Sequence, residues 1–128
     1  MEIVVKTNQS DSFAVDKAEN LDLSGKAQYH FTFWTERKLH LYMMPNPFQN
    51  EALDLFNISL AVFYCDRKVS RNAQSDSWTR SFKIYMPVLD VHVWNENKRL
   101  LERALSFLTG DSWIFVFRER TLNDYEVN

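Results

Sequence analysis

The chain has 128 residues, with 15 basic and 17 acidic side chains for a net charge of −2, and 45% of it is hydrophobic, including ten Phe, five Tyr and four Trp. Length and apolar supply predict one folded α+β domain that buries about two-thirds of its unfolded surface, and they argue against extended disorder. The balanced charge excludes a global field for phosphate backbones or anionic membranes, the lone Cys65 excludes an internal disulfide, and no apolar run nears the roughly 18 residues of a membrane span.

Met1 to Thr7 lacks the charged start and long apolar core of a signal peptide, so a reducing, cytoplasmic setting is expected. Residues 1–26 read as irregular or edge strands, with short strands expected at Ile3 to Val5 and around Phe13 and Val15. Ser24-Gly25 marks a turn. Residues 27–118 are expected to form the core. Tyr29, Phe31 and Phe33, then Leu39, Leu41 and Met43, alternate with polar neighbours as half-buried strands do, and Thr35-Glu36-Arg37 is short enough to join them as a hairpin. Pro45 and Pro47 stop that sheet. From Glu51 to about Lys68, Leu53, Phe56, Leu60 and Tyr64, with Ala61 and Cys65 beside them, share one helical face, and Asn50 is placed to cap it. Leu55, Ile58, Val62 and Phe63 widen the face, as in a helix covered on more than one side.

Ser70 to Ser77 is rich in turn formers and reads as an exposed loop. Trp78, Phe82, Ile84 and Met86 alternate with polar residues, predicting a strand that Pro87 terminates, with Arg80 as its odd member. Trp94, Leu101, Ala104, Leu105 and Leu108 predict one amphipathic helix, wet on the side of Glu96, Lys98, Arg99, Glu102 and Arg103. Gly110 stands where a left-handed cap is wanted. Trp113 to Phe117, apolar throughout, reads as a central strand buried on both faces. The tail of residues 119–128, with Arg118 before it, is expected to fray. The economical layout is a mixed or mainly antiparallel sheet of about five to six strands with two helices on one face.

No catalytic motif is visible. Three histidines and one cysteine make no ligand-spaced pair, and two isolated glycines cannot build a phosphate loop, so neither a metal nor a nucleotide cofactor is expected. His30 and His40 read as solvent-facing strand residues, and His92 as a surface or capping residue. Cys65 reads as a buried, inert thiol. The best polar cluster is Asp66, Arg67, Lys68, Arg71, Arg80 and Asp111, with Trp78 and Trp113 at element ends, where binding residues gather. Arg67, Lys68 and Arg71 would form a basic edge for an anionic partner, with Trp34 or Trp78 as a stacking face. A solvated helix terminus complementing the macrodipole accounts for the same cations. Three functions compete: an interaction domain, a small nuclease or hydrolase using Asp66, Arg67, Arg80 and Asp111, and a nucleic-acid-binding module, which the charge of −2 disfavours.

The series from Asp54 to Arg67, Trp78-Thr79-Arg80, Met86 to Asp90, Trp94, and Leu105 to Trp113, with its Phe107-Leu108-Thr109-Gly110-Asp111-x-Trp113 segment, resembles the region preceding the catalytic domain in QueC-like proteins. These are relatives of 7-cyano-7-deazaguanine synthase found in bacterial anti-phage defence operons. The similarity covers roughly residues 50 to 118. The family's Ser-Gly-Gly-x-Asp-Ser ATP loop and zinc cysteines have no counterpart in this sequence, so the resemblance carries over no catalytic residue, cofactor or metal. It implies an accessory domain with a protein partner, a QueC-like enzyme encoded nearby being the natural candidate. Asp66, Arg67, Trp78, Arg80, Asp90, Thr109, Gly110, Asp111 and Trp113 would then serve as fold determinants.

Overall fold

A computed structural model describes residues 1–24, 49–73 and 78–123. The described strands are β1 (Glu2–Lys6), β2 (Glu19–Asp22), β3 (Ser81–Val88) and β4 (Ser112–Glu119). The helices are α1 (Gln49–Lys68), α2 (Val91–Glu96) and α3 (Lys98–Thr109), with a 3₁₀ turn at Arg71–Ala73. The sheet runs β2-β1-β3-β4 and every neighbouring pair is parallel.

This corrects the expected mixed or antiparallel sheet of five to six strands. A helix inserted between two strands of one sheet returns the chain to the end where it started, so the next strand runs parallel to the last. Here α1 lies between β2 and β3, and α2 with α3 lies between β3 and β4. Both crossovers step across the sheet in the same direction, and right-handed connections then put their helices on the same face. The β1 to β2 connection steps the other way and contains no helix. The predicted hairpin of residues 29–43, with His30, Trp34 and His40, lies outside the described residues.

One side of each strand builds the core. Ile3 and Val5 of β1, Leu21 of β2, Phe82, Ile84, Met86 and Val88 of β3, and Trp113 and Phe115 of β4 cluster with Ile58, Ala61 and Cys65 of α1. Trp94, Leu101 and Leu105 pack on that cluster from α2 and α3. Phe82 and Trp113 stack with ring centroids 4.6 Å apart. Burying a side chain of this size stabilises the fold by about 1.5–3 kcal/mol.

Several local expectations need correction. β4 is an edge strand rather than a central one, since Trp113 and Phe115 point inward while Ile114 is 46% and Val116 37% exposed. Ser112 and Arg120 donate their amides to Arg80 and Val88, so the intervening odd-numbered amides face the open edge. One of them, Phe115 N–H, is received by the Glu102 carboxylate at 2.7 Å, which covers part of an edge that would otherwise invite pairing. Pro87 does not end β3, which continues to Val88. Lys83 donates its amide to Met1, so the nitrogen at 87 faces β1, whose registered pairing stops at Tyr85; the missing N–H breaks no ladder bond there.

The single second helix is two. Asn97, with φ −103° and ψ 6°, caps α2 through its backbone and precedes α3. Residues 11–15 form no strand, and β2 follows at Glu19–Asp22. Asn50 lies inside α1, not at its cap. The buried face of α1 is Leu53, Asp54, Asn57, Ile58, Ala61 and Cys65, whereas Phe56, Leu60 and Tyr64 are only half-buried. The chain does not fray at Arg118, because Arg120 and Asn123 are buried.

Candidate functional site

At the amino end of β3 and β4, five of the residues read as a polar cluster meet. Asp111, just before β4, has a fully buried carboxylate. Its Oδ2 accepts from an Arg80 guanidinium nitrogen at 2.8 Å, and its Oδ1 accepts from the Arg80 amide at 3.0 Å and from Arg71 at 2.8 Å. Arg80, buried between strand and helix, also reaches the Asp66 carboxylate at 2.8 Å and the Asp66 and Val69 carbonyls at 2.9 Å. Arg71 donates to the Trp78 and Thr109 carbonyls, each at 2.8 Å, and its guanidinium lies 5.2 Å from the Trp78 ring. These carbonyls include the last unpaired acceptors of α1 and α3, so the two arginines tie both helix ends to the sheet.

Burial opposes ionisation of Asp111, but the Arg80 side chain and amide, then Arg71, hold its carboxyl below the ordinary range. The bond to Asp111 raises Arg80 in turn. A carboxylate fixed as an anion, with both oxygens filled, is a poor proton donor or base. The cluster is a structural clasp. Gly110 sets it up with φ 75° at the end of α3, and the Asp111 amide donates to Thr109 Oγ1 at 3.1 Å. Trp113 joins only indirectly, its indole donating to the same hydroxyl at 2.8 Å. Arg67 stays outside, over the Phe63 ring at 5.6 Å, and Lys68 is exposed beside Glu19. His92 is exposed and pairs with Glu96. Burial pushes the Cys65 thiol up to about 12.

The outer side of α1 and α3 is apolar instead. Phe107 is 89%, Leu108 75% and Leu100 69% exposed, and Leu55 and Phe63 are more than half exposed. A groove of about 550 Å³ runs between the helices, with Leu55, Val62 and Phe63 on one bank and Leu101, Leu105 and Leu108 on the other. A second hollow, about 650 Å³, lies beyond it against Leu100, Arg103, Ala104 and Phe107. Arg67, Lys68, Arg99 and Arg103 are exposed on the same two helices. In sequence, Leu108 shares the helical period of Leu101 and Leu105 and so reads as part of the apolar side of that helix. With α3 starting afresh after Asn97 and β4 at the edge of the described sheet, that end of α3 is exposed.

At the carboxyl end of the sheet lies a second buried network that the sequence reading missed. Asp54 of α1, fully buried, accepts from the Leu89 amide at 2.9 Å and 3.1 Å, from the Trp94 indole at 3.0 Å and from Arg120 at 3.3 Å. Burial raises its pKa despite these partners. Asn123 Nδ2 donates to the Thr7 carbonyl at 2.9 Å, drawing the segment after β4 across to β1. Arg118 bridges the Val5 carbonyl and Asp11 at 2.8 Å and 2.7 Å. A signal existed: Asp54, Asn57, Ile58, Ala61 and Cys65 recur at helical spacing, so phasing α1 by its small residues places Asp54 inside.

Among the described residues no His, Cys, Asp or Glu group could hold a metal ion, and no helix is long and apolar enough to cross a membrane. No protein-family profile, curated protein or solved structure matches this chain.

Proposed function

We propose that this chain is a non-catalytic interaction domain whose α1–α3 face docks a protein partner. The observation that carries the reading is the apolar surface of Leu55, Phe63, Leu100, Phe107 and Leu108, all exposed on two adjacent helices. Scattered exposed hydrophobics are ordinary, but Leu55, Phe63 and Leu108 line one groove between the two helices, as a contact surface does. Arg67, Lys68, Arg99 and Arg103 supply positive charge around it, so the fitting partner presents apolar side chains flanked by carboxylates, a pairing that steers association and fixes register. The polar clasp at the amino end of the sheet supports this reading from the other side, because Arg80 and Arg71 saturate the Asp111 carboxylate.

The resemblance to the region preceding the QueC-like catalytic domain makes an enzyme of that class, encoded nearby, the first partner to assay. In this reading the domain works in the reducing cytoplasm. The test is affinity capture from the native host with neighbouring genes intact, comparing the wild type with Phe107→Asp/Leu108→Asp. The double variant alters only solvent-facing positions, so its melting temperature should stay within a few degrees of wild type. The wild type should recover a partner that the variant loses, and the purified partner should bind directly. Identical recovery by both proteins would end the proposal.

A further inference from the structure

In open parallel sheets ligands bind outside the carboxyl ends of the strands. A hollow of about 320 Å³ lies at this end, beside the carboxyl ends of β1 and β2, lined by Thr7, Asn8, Ser10, Ser24, Thr121 and Asn123 together with Gln9 and Leu122. That volume falls within the range of small-molecule sites.

Two properties point to a ligand. Ser24 is buried, 3% exposed, lines this hollow, and its hydroxyl has no hydrogen-bond partner among the described residues; a buried hydroxyl left unsatisfied is costly and calls for a partner. The lining bears hydroxyls and amides and not one charged side chain. Beside it Asp11 pairs with Arg118, and the Asp22 carboxylate receives the Ser24 amide at 2.8 Å. Opposite it, the amide of Asn8 is held by Thr121, which fixes the wall.

We infer that this hollow is a binding site for a neutral polyhydroxylated molecule, its hydroxyls paired with Ser24 and Gln9. A free monosaccharide and the ribose of a nucleoside both offer that chemistry. The experiment is saturation-transfer and amide-shift NMR on the full chain, in separate arms of monosaccharides, uncharged nucleosides and inorganic phosphate.

A member of one of the first two arms should saturate and shift the amides of Thr7 to Ser10 and Thr121 to Asn123, and the arm that binds identifies the source. Ser24→Ala should weaken that ligand about tenfold, the order of one lost hydrogen bond. It should leave the melting temperature of the free protein unchanged or raised, because it removes an unpartnered hydroxyl; a merely structural serine would lower it. Gln9→Ala, at an exposed position, should fold normally and weaken binding several-fold. The inference falls if no polyol moves those amides, if phosphate alone binds, or if both variants bind as tightly as wild type.

Discussion

Asp111 and Asp54 are fully buried carboxylates at opposite ends of β3, and they respond to burial in opposite directions. Burial is the largest influence on each and pushes both upward. Asp111 meets two guanidinium groups, at 2.8 Å each, and the Arg80 amide, and these overcome it. Asp54 meets one guanidinium at 3.3 Å, the amides of Leu89 and Asp90 and one indole, and they do not. Asp54 is the more deeply desolvated of the two and its cations are fewer and farther, and together these decide the sign.

The largest effect is expected from Asp111→Ala. It removes the buried carboxylate from Arg80, Arg71 and the Arg80 amide, leaving Arg80 only the exposed Asp66 as counter-ion, and should lower stability by about 3–5 kcal/mol in urea unfolding. A loss below about 1 kcal/mol would break the comparison, since it would mean the clasp is dispensable. Asp54→Asn keeps acceptors for Leu89 and Trp94 and should cost about 1–2 kcal/mol.

The pH dependence sharpens the contrast. Asp111 has a lowered folded pKa, so its contribution is present above the ordinary carboxylate value and is lost as pH falls through the folded one. Asp54 has a raised folded pKa, so its contribution is full below the ordinary value and is lost as pH rises through the folded one. Subtracting the Asp54→Asn stability curve from that of wild type should therefore give a difference that grows as pH falls from neutrality. A flat difference would show that Asp54 titrates normally.

Glu102 offers a third, less buried carboxylate, paired with Lys98 and receiving the Phe115 amide. Glu102→Ala should cost about 1 kcal/mol and raise self-association in sedimentation, because it bares the edge of β4. Gly110→Ala perturbs the frame of the clasp without touching its charges. The residue sits at φ 75°, and an added Cβ would stand 3.4 Å from Trp78 Nε1. A loss of about 1 kcal/mol, read as a few degrees in melting temperature, is expected.

Much of this was legible. The alternation Phe82, Ile84, Met86 marked β3, the helical period over residues 51–68 marked α1, and Gly110 marked the end of α3, because these signals are local and depend on period and backbone alone. Asp66, Arg71, Trp78, Arg80 and Asp111 could be singled out as unusual polar or aromatic residues at element ends. Their mutual saturation could not, since the bonds span up to 40 positions in sequence. Asp54 escaped because large apolar neighbours set the apparent phase of α1, while packing against the sheet selected its small residues.

The sequence by itself determined that this chain alternates strand and helix around one aromatic core, because hydrophobic period and turn chemistry act over a few residues. Tertiary structure alone decided that the strands run parallel, that β4 is an edge, and that the two buried aspartates titrate in opposite directions. Strand direction follows from how crossovers pack on the sheet, exposure from what lies beside an element, and the state of a carboxylate from distances to cations brought in from distant segments.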